Sequence, residues 1–251
     1  MDRLIYTAAS GLSASMARQR MIASNMANAQ TIGFRAETMT STPMTLRGQQ
    51  LEVRAPTLAT VKGASMVQGT FAHTGRDLDV ACDGQTLIAV QAPDGGEGYT
   101  RRGDLSLTAT GVLQNGDGLP VIGEGGPITV PPDSRVTIGA DGAVLVSDVR
   151  TPDQPPVEVA RIKLASWQGT QIEKDLTGLF RVPGGPGGGF GVLPTDEDAR
   201  LVSGTIEHSN VEPSQVLVEM IEAQRLFDIR TKVISTARDL DQGGAALMRI
   251  S

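Results

Sequence analysis

Apolar residues recur mostly at three- and four-residue steps near the start of the chain: Leu4, Ile5, Ala8, Leu12, Met16, Ile22 and Met26. That spacing gathers them on one face of a helix. Between them stand Ala9, Gly11, Ser13, Ala14, Ser15 and Ala17, small enough for a neighbouring helix to come close. The pattern predicts a helix from residue 2 to about 30, roughly 40 Å long at about 1.5 Å per residue.

The stretch "SNMANAQTIGFRAE" then changes character. Asn28 and Thr31 carry side chains that bond locally to backbone and compete with helix propagation. Gly33 suits the left-handed residue that closes many helices, and Phe34 can fold back as the apolar contact that accompanies such a stop. Asn25, Asn28, Thr31, Gly33 and Phe34 are therefore expected to act together as a helix terminator. If Gly33 takes positive φ, Val should strain the exit from the helix there and Asn should be milder.

From about residue 45 to 205 the period shortens. "DLDVACDGQTLIAVQAP", "GYTRRGDLSLTATGVL", "SRVTIGADGAVLVSD" and "PPVEVARIKLASW" are short runs of partial alternation, punctuated by glycine. They predict an antiparallel β region of eight to twelve short strands, with Asp141-Gly142 as a two-residue hairpin turn. "VPGGPGGGFGVLP" reads as a surface loop.

The helical period returns near Ser209 to Ser214, with Pro213 suited to a first turn, and is expected to stop at Gly243-Gly244. Val216, Leu217, Met220, Ile221, Ala223, Leu226, Phe227, Ile229, Val233, Ile234, Ala237 and Leu240 spread over far more than one stripe. Such a helix must be covered on several sides, and the N-terminal helix can cover only one. The pattern as a whole predicts an α+β fold. Its long N- and C-terminal helices pair as a coiled-coil-like core, with a central antiparallel all-β domain. The corresponding divisions are residues 1–35, 36–208 and 209–251.

Composition narrows the function classes. The chain has 251 residues, a net charge of −6 and 30 glycines, with aromatics at only 3%. No basic face is available for nucleic acid. A single cysteine, Cys82, and two histidines can hardly supply a zinc site, and Cys82 is expected to be a buried thiol. No phosphate-binding loop, HExxH or GxSxG occurs, and Asp77, Asp79 and Asp83 match no calcium loop. No cofactor, metal or catalytic residue is therefore expected. No run approaches the ~20 apolar residues of a membrane span, and "MDRLIYTAASGLSAS" lacks the apolar centre of a cleaved secretory signal.

Both ends together carry a resemblance. "SGLSASMARQRMIASNMANAQTIGFRAE" resembles the N-terminal signature of the flagellar rod and hook axial proteins, and "GTIEHSNVEPSQVLVEMIEAQRLFDIRTKVIST" resembles their C-terminal signature. "GRDLDVACDG", "YTRRGDLSL" and "GVL" are similar to a β segment shared by hook and larger rod subunits. Within the family, "MDRLIYTAASG" and the length resemble the proximal rod members more than the distal ones.

The resemblance implies a structural subunit of the bacterial basal-body rod. Such a subunit is exported uncut by the flagellar type III apparatus and polymerises helically, with copies of itself and other rod subunits, into a torque-transmitting tube in the periplasm. The expected subunit contacts are Leu4, Leu12, Met16, Ile22 and Met26 on the first helix. On the second they are Leu217, Met220, Ile221, Gln224, Arg225, Phe227 and Ile234. The alternatives are a distal rod subunit or a monomeric α+β binding protein whose end helices simply pair.

Overall fold

The computed structural model describes residues 2–43, 57–131, 134–148, 154–175, 177–184 and 189–248. Among the described residues two helices, α1 (Asp2–Ala27) and α2 (Pro213–Met248), flank eighteen strands, most of them only two to six residues long. Among the described residues no helix is long and apolar enough to cross a membrane. The chain divides into two units. One gathers Met1–Ala29, Glu37–Gly63 and Val211–Ser251; the other gathers Gln30–Ala36 and Ala64–Asn210.

In the first unit α1 and α2 pack on each other, and β1 (Glu37–Pro43) pairs with β2 (Thr57–Ala64). Pro213 opens α2, where its missing N–H is not needed, and the Val216 N–H already donates to the Glu212 carbonyl. The helix does not stop at Gly243-Gly244 but continues to Met248. Each glycine costs a helix about 1 kcal/mol relative to Ala. That weakens the turn without ending it where Ala245, Ala246 and Leu247 follow.

The expected coiled-coil-like core beside one central all-β domain is not what forms. The buried apolar residues of the two helices are only Ile22, Val216 and Ala223 among those described. Both hydrophobic cores lie in the second unit. The described strands make seven small sheets, and β1 with β2 group with the helices. The reason is local: with a turn every few residues, strands stop before they can extend one continuous sheet.

The second unit is built around β5 (Thr86–Gln91) and β6 (Glu97–Thr100). They sit inside a five-stranded sheet completed by Leu164–Ser166, Phe180–Arg181 and Glu173–Lys174. Successive side chains of a strand point to opposite faces. Accordingly Leu87 and Ala89 enter one core with Tyr99, Phe180 and Leu193, while Ile88 and Val90 enter the other with Leu105, Leu113, Val121 and Ile162. A strand covered on both faces shows no polar alternation, which is why "TLIAV" reads as a continuous apolar run.

A separate three-stranded meander holds Ser134–Ile138, Ala143–Asp148 and Val157–Arg161. Its first turn lies at Asp141-Gly142 but is longer than two residues. The Gly139 N–H donates to the Ala143 carbonyl at 2.8 Å, and Gly142 takes φ +80°. Finally, β3 (Phe71–His73) pairs antiparallel with Thr205–Glu207, and β4 (Val80–Cys82) with Leu201–Ser203.

Candidate functional site

α2 presents two different faces. Val216, Ala223 and Arg230 follow at seven-residue steps, so they share one side. Val216 and Ala223 are buried, and Arg230 reaches α1, donating to the Gly11 carbonyl and to Ser15 Oγ. Ser15 is itself buried on α1, as are Ile22 and Asn25. Met220, Phe227 and Ile234 lie half-buried on this inner side of α2. Roughly opposite, at ~100° per residue, Val218, Ile221, Ile229, Val233 and Leu240 form a second apolar stripe that is 50–66% exposed.

The residues named from sequence therefore do not share one surface. Leu217, Ile221, Gln224 and Arg225 are exposed, Ile221 and Arg225 lying with the outer stripe. On α1, Ile22 is buried, Leu12 and Met26 are half-buried, and Met16 is exposed. The Leu4 side chain lies outside the described residues. Sequence reasoning missed Arg230 and Val218; it marked Ser15 as a small position and Ile229, Val233 and Leu240 as apolar ones without naming them as contacts. A charge at seven-residue register with two buried apolar residues was the available signal for Arg230.

The segment after α1 is equally specific. Asn25 sits inside the helix, where its Oδ1 accepts the Glu37 N–H at 2.7 Å and its Nδ2 donates to the Glu37 carbonyl at 3.1 Å. Asn28 donates from Nδ2 and from its backbone N–H to the Ser24 carbonyl. Within the second unit, the Phe34 N–H donates to the Thr31 carbonyl, and Gly33 takes φ +68° with its N–H on the Glu207 carbonyl at 2.7 Å. A Cβ on Gly33 would come within 2.5 Å of the Arg101 carbonyl and the Arg102 nitrogen. Position 33 is therefore closed to any side chain, Asn included. The backbone contact adds a cost that Asn and Val share on top of the backbone angle.

Each of the next residues has its own partner. The Lys174 ammonium stands 3.6 Å from the centre of the Phe34 ring and donates to the Arg35 carbonyl. Arg35, almost fully buried, pairs with Glu207 at 2.6 Å and donates to the Val67 carbonyl. The Ala36 N–H donates to Asn210 Oδ1, whose Nδ2 reaches the Ser65 and Val67 carbonyls. Arg101, fully buried, donates to Glu207 and to the Gly84, Thr86 and Cys82 carbonyls. Burial first, and then repulsion from Arg101, lower the Arg35 guanidinium to about 10. Burial likewise pushes the Cys82 thiol up to about 12.

The other polar residues considered from sequence are engaged structurally. Asp77 pairs with Arg135, while Asp79 accepts from Thr74 and lies near Arg76. Among the described residues no group of acidic, His or Cys side chains is placed to hold a metal. The specific geometry described is that of helix faces and of the chain segment after α1.

Comparison with known proteins gives three family matches in chain order. Residues 5–35 match the flagella basal body rod protein family, and residues 81–146 the flagellar hook protein FlgE/F/G D1 domain. Residues 202–247 match the flagellar basal body rod FlgEFG protein C-terminal family. The flagellar basal-body rod protein FlgF of Salmonella typhimurium is 40% identical over 98% of this chain and 97% of its own length. FlgF of Escherichia coli is 38% identical over 95% of each. The rod protein FlgG of Bacillus subtilis is 30% identical over 96% of this chain and 97% of its own. With identity at this level along nearly the whole length, the chain belongs to the flagellar basal-body rod protein family.

Proposed function

We propose that this chain is a proximal rod subunit that polymerises helically, with copies of itself and with other rod subunits, through the helix faces of its first unit. The observation that carries this reading is the outer stripe of α2. Val218, Ile221, Ile229, Val233 and Leu240 stay exposed although α1 already packs on the opposite side. Apolar surface of that extent on one helix marks a contact still to be made. In a rod, neighbouring helices cover it, and the tube so formed transmits torque from motor to hook.

On this reading residues 1–35 and 209–251 supply the axial helices, and of the middle division, 36–208, the part Glu37–Gly63 groups with them. Asn25, Asn28, Thr31, Gly33 and Phe34 end the axial segment at a fixed place. The chain acts as a structural part rather than an enzyme. It is exported uncut by the flagellar type III apparatus and takes its place in the periplasmic part of the rod. Higher identity to the FlgF relatives than to the FlgG relative favours the proximal position. The test is to image isolated basal bodies of the source bacterium carrying an epitope-tagged copy. Label on the rod segment nearest the inner membrane supports the proximal reading. Label only on the distal segment replaces it with a distal one, and absence from the rod rejects both.

A further inference from the structure

Four consecutive residues, Gly33 to Ala36, each have a dedicated partner in the second unit, although none of them lies in a strand and β1 begins only at Glu37. The partners come from distant parts of the sequence: Arg101–Arg102, Lys174, Glu207 and Asn210. Glu207 is the hub. Its Oε2 accepts from Arg101 Nε at 2.8 Å, its Oε1 accepts the Gly69 N–H at 2.8 Å, and the same Oε1 faces Arg35.

The two arginines are not equivalent. Arg101 has acceptors for Nε, Nη1 and Nη2, three of them backbone carbonyls of the 82–86 segment. Arg35 Nε has no hydrogen-bond partner among the described residues, and its guanidinium is the one lowered by burial and by Arg101. One carboxylate thus serves two buried cations, one firmly held and one less so.

We propose that residues 30–36 are a strap separable from the β core, docked by Arg35 against a Glu207 carboxylate that Arg101 already holds in place. The strap seats the chain at the point where it leaves the second unit. Its seating depends on Arg35 and Asn210, while the hydrophobic cores do not depend on it. The inference stands apart from the proposed role in the rod, since it concerns contacts within one unit.

The test is amide hydrogen exchange on the full-length chain, comparing wild type with Arg35→Met. Four reporters are informative: Gly33 and Ala36 for the strap, Gly69 for the Glu207 carboxylate, and Ala89, whose N–H donates to the Lys163 carbonyl, for the core. In wild type, Gly33 and Ala36 should exchange within about tenfold of Ala89. In Arg35→Met they should exchange at least tenfold faster, with Gly69 and Ala89 unchanged because Arg101 still holds Glu207. Glu207→Gln should be the harsher change, releasing Gly33, Ala36 and Gly69 together, since two guanidinium groups then lose one counter-ion. Asn210→Ala provides a milder probe should Arg35→Met fail to fold, and should free Ala36 while leaving Ala89 slow. The proposal is overturned if Gly33 and Ala36 exchange freely in wild type. It is equally overturned if Arg35→Met and Asn210→Ala leave them protected, or if either substitution speeds Ala89 together with them.

Discussion

At the scale of single residues, the turn after α1 shows how a glycine can be required twice over. Positive φ alone would cost a non-glycine residue roughly 1–2 kcal/mol, and Asn tolerates it best. The Arg101–Arg102 backbone, 2.5 Å from where a Cβ would sit, adds a steric demand that no side chain meets. Overpacking costs typically about 1–3 kcal/mol. Gly33→Ala and Gly33→Asn should therefore both weaken the seating of residues 30–36 by about 2–4 kcal/mol, measured as faster amide exchange at Ala36 with Ala89 unchanged. A clearly milder Asn variant would show that the backbone contact yields. The left-handed angle was legible in the order of residues around Gly33, but the second demand was not, because Arg101 is remote in sequence.

Cys82 carries a pH signature. Its carbonyl accepts from Arg101, and its thiol, fully buried, is pushed up to about 12 from an ordinary value of 9.0. The folded state thus disfavours the thiolate. This contribution to stability is fully present below about pH 9 and is lost as pH rises toward 12. At pH 10.5 the loss amounts to about 2 kcal/mol. Cys82→Ala should lose correspondingly less stability than wild type between pH 8 and pH 10.5 in denaturant titrations. A residual slope from Tyr99, also raised by burial, should remain in both. Equal slopes in the two proteins would contradict the buried-thiol account.

Among the elements, the helices were the most legible, because a 3.6-residue period sustained over many turns has few competing explanations. Their ends were less so. The stop expected at Gly243-Gly244 gave way to good helix formers beyond it, and Asn25 proved to bond to Glu37 from within α1. Strand number and sheet arrangement were hardest, since short runs separated by glycine fit many pairings and β5, buried on both faces, hides its period. The candidate contacts were half legible: periodicity identified apolar positions on α2, but not which of them α1 would already cover. That distinction required Arg230, which ties the inner face to Gly11 and Ser15.

Arg230 makes a prediction at this scale. Met keeps much of its length but cannot donate. Arg230→Met should weaken the α1–α2 pair by roughly 1.5–3 kcal/mol, the range for hydrogen bonds to a charged group. Ser15→Ala should act through the same contact. A double-mutant cycle followed by thermal melting of the helical circular dichroism signal should give a coupling of about 0.5 kcal/mol or more. Strict additivity would mean that Arg230 and Ser15 act separately.

For the whole molecule, the two units divide the work between them. The second holds both hydrophobic cores and a dense polar junction. The first has a helix pair with one side engaged and an apolar side exposed, which is the form expected of a part that completes itself by assembly. Burying an unpaired charge in an apolar contact costs several kcal/mol, so an acidic residue on the outer stripe should separate folding from polymerisation.

The most direct measurement is to compare secreted and rod-incorporated protein for Ile221→Asp/Val233→Asp, both positions exposed within the chain itself. The account predicts export at the wild-type level, an unchanged melting curve for the purified monomer, and no protein recovered in isolated basal bodies. Incorporation into rods at the wild-type level would contradict it, showing that the outer face of α2 makes no contact in the assembled structure.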